Sequence, residues 1–171
     1  MKFLTKRIGR FPLGIWIVLV FLVISGLVML VFAQGLSFFA WDAAYSLGVQ
    51  EDSRHSTDIV ERTIGAMSWG EAGADFLVQG TLIILTLIGI LRRRRFGFVT
   101  GVTLAIIWIY ATFMVTLQRI GLYNWGVVPD LSRAKLVGPL MVAGWGIPGV
   151  ISLICLIVNR DYFNSGKSDQ S

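Results

Sequence analysis

Four long apolar stretches dominate the pattern of hydrophobic and polar positions along this chain. Each stretch has about the 20 residues that an α-helix needs to cross a hydrocarbon core roughly 30 Å thick. The stretches are 11–33, 72–91, 98–117 and 136–158. Because a backbone in hydrocarbon must satisfy its own hydrogen bonds, the pattern predicts an all-α fold that forms a four-transmembrane-helix bundle.

The composition agrees with this reading. Of the 171 residues, 55% are hydrophobic, and the mean hydropathy is +0.72. We therefore interpret 1–171 as a single integral membrane domain. The alternative for the first stretch is a cleaved secretory signal, because a basic start precedes an apolar run that ends in Val-Phe-Ala. That run is about 22 residues long, whereas a signal core has roughly 7–15, so an uncleaved first span is favoured.

The distribution of basic residues predicts the orientation. Ten of the 15 lysines and arginines fall at the two ends of the chain and in the tetra-arginine turn 92–95, and the other five fall on the opposite side. Cytoplasmic loops are the basic ones, so we expect both termini and this turn in the cytoplasm. The loop 34–70 is then outside, and 162–171 is expected to be a flexible tail. Compact loops without Asn-x-Ser/Thr sites favour a plasma membrane, as in a bacterial inner membrane.

The outer loop 34–70 is long for a connection within a bundle, which suggests structure of its own. Its segments 37–48 and 58–69 are typical of short interfacial helices, and the second opens with an Asp58–x–x–Glu61 capping pattern. Trp41, Tyr45 and Trp69 are expected at the level of the lipid headgroups. The loop is either a lid over the bundle or only a connection.

The second span begins with an unexpected polar stripe. Glu71, Asp75 and Gln79 are spaced four residues apart, so a helix places them on one face. Carboxylates near a helix N-terminus complement its dipole, which explains Glu71 without a ligand. Asp75 lies deeper, where a lone charge is costly and needs a partner or water. Arg119 is the candidate partner, although its long side chain can also extend outward to the headgroups. Asp75 is then either part of a structural ion pair or a ligand contact.

Counting residues from the turn 92–95 gives the depth of other polar and aromatic side chains. By helical rise, Gln79, Tyr110 and Trp145 fall at similar depth in the outer half of the bundle. Glu71, Asp75 and Arg119 fall above them. The sequence therefore predicts a ligand-binding chamber that opens to the outside. Its predicted ligand-binding residues are Glu71, Asp75, Gln79, Tyr110, Arg119 and Trp145.

Small residues and prolines predict how the spans pack. Gly97, Gly101 and Ala105 form a ridge at four-residue spacing, which permits close approach of helices within the bundle or in a homodimer. Pro148 lacks the N–H that would bond the carbonyl of Gly144, so we expect it to kink the fourth span beneath Trp145.

Several kinds of chemistry find no support in the sequence. With Cys155 as the only cysteine, the chain cannot form an internal disulfide, and His55 is the only histidine, so no metal site or cofactor is predicted. No catalytic motif is evident. The tetra-arginine turn is expected to contact anionic headgroups, since a nucleic-acid partner would need a folded basic domain.

Three hypotheses for the function follow. The first is a non-enzymatic membrane protein that binds a lipophilic or amphipathic small molecule or lipid, or that serves as an accessory subunit of a membrane complex. The second is a membrane-embedded enzyme that uses carboxylate acid–base chemistry on a lipid-like substrate. The third is a proton- or ion-coupled carrier. The four-span pattern is similar to that of the DoxX-like and EXPERA families, but no motif is matched residue by residue.

Overall fold

The computed structural model describes residues 2–47, 49–50, 53–127 and 132–164. Helices account for most of these residues, and four of them are long and apolar enough to cross a membrane. In chain order the helices are α1 (Leu13–Phe39), α2 (Trp41–Ser46), α3 (Ile59–Leu91), α4 (Arg95–Asn124) and α5, which includes Ser132–Met141, Val142–Gly146 and Ile147–Val158. The prediction of four membrane-length helices is confirmed.

Three of the long helices contain π-helical segments. They lie at Leu22–Phe32 in α1, Asp75–Gln79 in α3 and Val142–Gly146 in α5. The segment in α5 ends at Gly146, and Pro148 is the second residue of the α-helical stretch that follows it. A π turn accommodates a missing i→i−4 hydrogen bond, and such turns are frequent at functional sites. Asp75, Gln79 and Trp145 all lie within these segments.

Helix α3 differs from the sequence prediction. The segment 58–69 is not a separate interfacial helix, because α3 runs without interruption from Ile59 to Leu91. The predicted cap is present, since Asp58 Oδ1 accepts a hydrogen bond from the Val60 N–H at 2.8 Å. No proline follows before Leu91, so nothing breaks the helix where it becomes apolar.

The segment 37–48 is also arranged differently. Ser37 lies inside α1, where its hydroxyl donates to the Ala33 carbonyl at 2.8 Å and does not cap a new helix. Only Trp41–Ser46 forms a short separate helix, and Gly48 lies outside the described residues.

Both ends of the described chain are ordered by local structure. Strands β1 (Arg7–Ile8) and β2 (Phe11–Pro12) pair antiparallel around Gly9, whose φ of +61° suits glycine. Arg160–Phe163 forms a 3₁₀ turn. Tyr162 and Phe163 are buried in it, so these two residues do not belong to a flexible tail; residues 165–171 lie outside the described range.

The chain divides into two compact units. The first unit is Met1–Ser25 with Leu82–Ser171, and the second unit is Gly26–Thr81. In the first unit, α3 and α4 approach so closely that Gly89 and Gly97 lie backbone against backbone. Gly101 contacts the side chain of Leu156 in α5. The small-residue ridge therefore packs within the chain.

Tyr162 ties the 3₁₀ turn to the end of α3 within the first unit. Its hydroxyl donates to the Ile90 carbonyl at 2.9 Å, and the Arg93 guanidinium lies 5.5 Å from its ring centroid. Burial raises the pKa of the Tyr162 hydroxyl above its ordinary value, although Arg93, Arg10 and Arg7 lower it in part.

Candidate functional site

The polar stripe of the sequence lies in the second unit, on α3. Gln79 Nε2 donates a hydrogen bond to Asp75 Oδ1 at 2.5 Å, so these two side chains share a face as their spacing predicts. Gln79 is 3% exposed, whereas Asp75 and Glu71 are half-buried. The Gln79 amide thus supplies one of the hydrogen bonds that the Asp75 carboxylate can accept.

The Gln79 carbonyl oxygen has no such partner. It is buried, and it accepts no hydrogen bond from any described residue. A buried acceptor without a donor costs free energy comparable to a lost hydrogen bond, about 1–3 kcal/mol. The oxygen therefore marks a place where a donor from water or a ligand would be stabilising.

Three predicted residues lie in the first unit. On α4, Arg119 is half-buried and Tyr110 is 64% exposed. On α5, Trp145 is half-buried, and its indole N–H lacks an acceptor among the described residues. The structure thus places Asp75 and Gln79 together in one unit, with Tyr110, Arg119 and Trp145 in the other. A chamber formed by all of them, and a pairing of Arg119 with Asp75, remain predictions.

Trp108 is a buried residue that the sequence pattern did not single out. It is 1% exposed, and its indole N–H has no acceptor among the described residues. Thr112, one turn further along α4, donates to the carbonyls of Trp108 at 2.9 Å and Met141 at 3.2 Å. This shared hydroxyl joins α4 to α5 just before the π turn.

A pocket of about 430 Å³ lies in the second unit. One side is a face of α3, where Arg62, Gly65, Ala66 and Trp69 follow the i, i+3, i+4, i+7 spacing. The small side chain of Ala66 leaves room between the arginine and the indole, whereas the Ser53 side chain packs against Gly65. The volume falls within the range of roughly 300–1,000 Å³ that is typical of small-molecule sites.

The opposite side of the pocket is aromatic. Phe38 and Phe39 end α1, and Trp41 begins α2. Phe38 stacks on Trp69 with ring centroids 4.9 Å apart, and the Trp69 indole N–H donates to the Phe38 carbonyl at 3.0 Å. Gly73 permits this contact, because a Cβ there would lie 2.6 Å from the Phe38 ring. These contacts hold the end of α1 against α3.

Cations form the polar part of the lining. Arg54 and Arg62 both line the pocket and are both exposed. Within the described part of the chain, neither guanidinium has a carboxylate in ion-pair distance, and no acidic residue lines the pocket. We call this site, bounded by Phe38, Phe39, Trp41, Trp69 and the two arginines, the aromatic–arginine pocket. An apolar wall with a cationic end suits an amphipathic molecule.

Two features of the sequence correspond to parts of this pocket, although neither one predicts the pocket alone. The aromatic density of 37–48 and the spacing from Arg62 to Trp69 were both visible. Which aromatic residues meet which face of α3 depends on the fold of the second unit, and local spacing does not specify it.

The described residues contain no candidate metal site, because no three side chains of histidine, cysteine, aspartate or glutamate cluster among them. Cys155 is a free, buried thiol. No protein-family model, curated protein or solved structure matches this chain. The function must therefore be argued from the geometry of its sites.

Proposed function

We propose that this protein is a small, non-enzymatic integral membrane protein that binds an amphipathic small molecule or lipid. The observation that carries the proposal is the aromatic–arginine pocket, whose volume and lining match those of a ligand site. The four membrane-length helices support the proposal, because amphipathic molecules are concentrated in membranes. Service as an accessory subunit of a membrane complex is compatible with the same site.

The orientation belongs to this proposal. With the basic turn 92–95 in the cytoplasm, the pocket lies on the outer side of a plasma membrane, and both termini are cytoplasmic. If 72–91 fills the hydrocarbon core, Trp69 lies about 4.5 Å above the core edge, within the headgroup layer. This is the depth at which tryptophan is enriched in membrane proteins.

The polar stripe supplies a second candidate ligand site. The unpartnered oxygen of Gln79 beside Asp75 favours it, because a ligand donor would relieve a buried acceptor. A carboxylate at this depth is also the feature that a membrane-embedded enzyme or an ion-coupled carrier would use. Glu71 lies on the same stripe, and an enzyme would use it as the second carboxylate. We favour ligand binding because the aromatic–arginine pocket has the volume and lining of a ligand site.

A titration with decanol, a neutral amphiphile, tests the proposal. The full chain is placed in phosphatidylcholine nanodiscs, and binding is measured by calorimetry for the wild type and for the Ala66→Phe variant, which fills the pocket. Ala74→Phe is the matched control, since Ala74 is exposed on the same helix and does not line the pocket. We expect saturable binding that Ala66→Phe reduces at least tenfold and Ala74→Phe leaves unchanged.

The variant Asp75→Ala/Gln79→Leu separates the two sites in the same titration. Loss of binding in this variant, with Ala66→Phe unaffected, would assign the ligand to the polar stripe. Equal heats for all variants and for empty nanodiscs would show only partition into the bilayer and would refute a ligand site of either kind.

A further inference from the structure

We infer that the aromatic–arginine pocket selects a ligand with an anionic group, a phosphate or a carboxylate, an inference that rests on the proposed function. Arg54 and Arg62 both line the pocket, and no described lining residue is acidic. A guanidinium presents a planar fork of donors that matches the oxygens of a carboxylate or phosphate. Two such groups at one site favour an anion over a neutral polar group.

The acidic side chains nearest to Arg62 in the sequence are occupied elsewhere. Asp58 accepts the N–H of Val60 at the start of α3, and Glu61 Oε2 accepts the hydroxyl of Ser56 at 2.6 Å. These carboxylates therefore stabilise the first turn of the helix, and the described residues of the pocket lining carry a net positive charge.

Trp41 gives an independent indication. This residue lines the pocket, is 6% exposed, and has a buried indole N–H without an acceptor among the described residues. An unpaired buried donor is costly, and a bound oxygen would satisfy it. Because Trp41 is part of the pocket wall, we assign that role to an oxygen of the anionic group.

The pocket also has a polarity gradient along α3. Arg62 and Trp69 are seven residues apart, which corresponds to about 10 Å of helical rise. Trp69 and its stacking partner Phe38 lie nearer to the apolar part of the helix, and Arg62 lies farther from it. A molecule with its anionic group at Arg62 and an alkyl chain along Phe38 and Trp69 matches this gradient.

The depth of Arg62 distinguishes this site from ordinary contact with lipid phosphates. If 72–91 fills the hydrocarbon core, Arg62 stands about 15 Å above its edge, whereas the headgroup layer is only about 5–8 Å thick on each side. The pocket thus holds the anionic group at or beyond the outer edge of the headgroups. The same chemistry admits a lipid headgroup or a free anion from the aqueous phase.

Three probes test the inference: decyl phosphate, decanol and inorganic phosphate, each titrated into the full chain in phosphatidylcholine nanodiscs. For the wild type we expect decyl phosphate to bind about tenfold or more tightly than decanol, as charge-assisted hydrogen bonds imply. Arg54→Gln/Arg62→Gln should remove this preference and leave the decanol affinity unchanged. Arg160→Gln is the matched control, since Arg160 is exposed and lies in the first unit.

Trp41→Phe provides a readout separate from charge. This variant keeps an aromatic ring and removes the N–H, so we expect a several-fold loss of decyl phosphate affinity with unchanged decanol affinity. Because the unpaired donor is gone, the thermal stability of the unliganded protein should not fall.

The outcomes separate the inference from the proposed function. Equal binding of decyl phosphate and decanol, both blocked by Ala66→Phe, would overturn the inference and leave the proposed ligand site intact. Inorganic phosphate that binds as tightly as decyl phosphate, and only with both arginines present, would support the anion site with a free anion as its source. If no probe binds beyond partition into empty nanodiscs, both are refuted.

Discussion

Two kinds of glycine contact distinguish the two units. In the first unit, Gly89 and Gly97 bring two helix backbones into direct contact. In the second unit, Gly73 and Gly35 each receive an aromatic ring, from Phe38 and Phe76 respectively. Backbone against backbone leaves little space for a ligand, whereas rings that meet a helix at different angles leave gaps between them. The comparison explains why the aromatic–arginine pocket forms in the second unit.

The largest loss of stability is expected where the backbones of Gly89 and Gly97 are in contact. In Gly89→Ala, the new Cβ would meet the backbone of Gly97, which cannot move without displacing α4. We expect the free energy of unfolding to fall by about 2–3 kcal/mol, as it does for an overpacked core. Denaturant unfolding of the purified protein in detergent measures this change.

The control is Gly121→Ala on α4, where no described atom lies within 4 Å of the new Cβ. The free energy of unfolding of this variant should rise by about 0.5–1 kcal/mol, because alanine has a higher helix propensity than glycine. A similar response of the two variants would mean that Gly89 and Gly97 are not in close contact.

A smaller effect is expected where a ring meets a backbone. In Gly73→Ala, the Cβ would lie 2.6 Å from the Phe38 ring, which can rotate away. We expect the free energy of unfolding to fall by about 1 kcal/mol, at the low end of the cost of overpacking. Decanol should also bind more weakly, because Phe38 lines the pocket. Unfolding and titration on the same preparation measure both quantities.

Gly70→Ala is the matched control for this variant, because its Cβ meets nothing within 4 Å on the same helix. A loss of stability in Gly73→Ala with unaltered decanol binding would contradict the role of Phe38 as a pocket wall.

The smallest effect concerns the link between the 3₁₀ turn and α3 in the first unit. Tyr162→Phe removes the hydrogen bond to the Ile90 carbonyl and should cost about 1 kcal/mol. Burial raises the pKa of Tyr162, so the folded state keeps this proton at a pH where the unfolded chain has lost it. The free energy of unfolding should therefore fall as the pH rises above 10.0, the ordinary pKa of a tyrosine.

Tyr162→Phe should lack this part of the pH dependence. Comparing unfolding of both proteins at pH 9 and pH 11 measures the difference, and parallel curves would show that Tyr162 does not titrate differently in the folded state.

Hydropathy and capping predicted much of the fold. Four spans were evident because each is a long apolar run, and the helix start at Asp58 was evident from its cap. The continuity of α3 was not, because a capped amphipathic segment before an apolar run fits a separate interfacial helix equally well. Tyr162 and Phe163 looked like part of a tail because charged residues precede them, whereas their burial depends on contacts with distant residues.

The site was less predictable than the fold. The hydrogen bond between Gln79 and Asp75 follows from a spacing of four residues, which is local information. The aromatic–arginine pocket depends on α1 and α2 meeting one face of α3, which is tertiary information. Gly65 and Ala66 do not predict a pocket by themselves, because small residues indicate one only when the opposite wall is known.

The turn between α3 and α4 has a consequence for how the chain enters its membrane. Arg93 adopts a φ of 51°, the only positive φ among the described residues other than glycine, in a three-residue loop of arginines that is followed by Arg95 at the start of α4. An arginine in this conformation is strained by about 1–2 kcal/mol relative to glycine. If this loop is cytoplasmic, as we propose, a segment this short and this cationic would resist translocation. We therefore expect both helices to be inserted together during synthesis, as a preformed hairpin whose loop never leaves the ribosomal side.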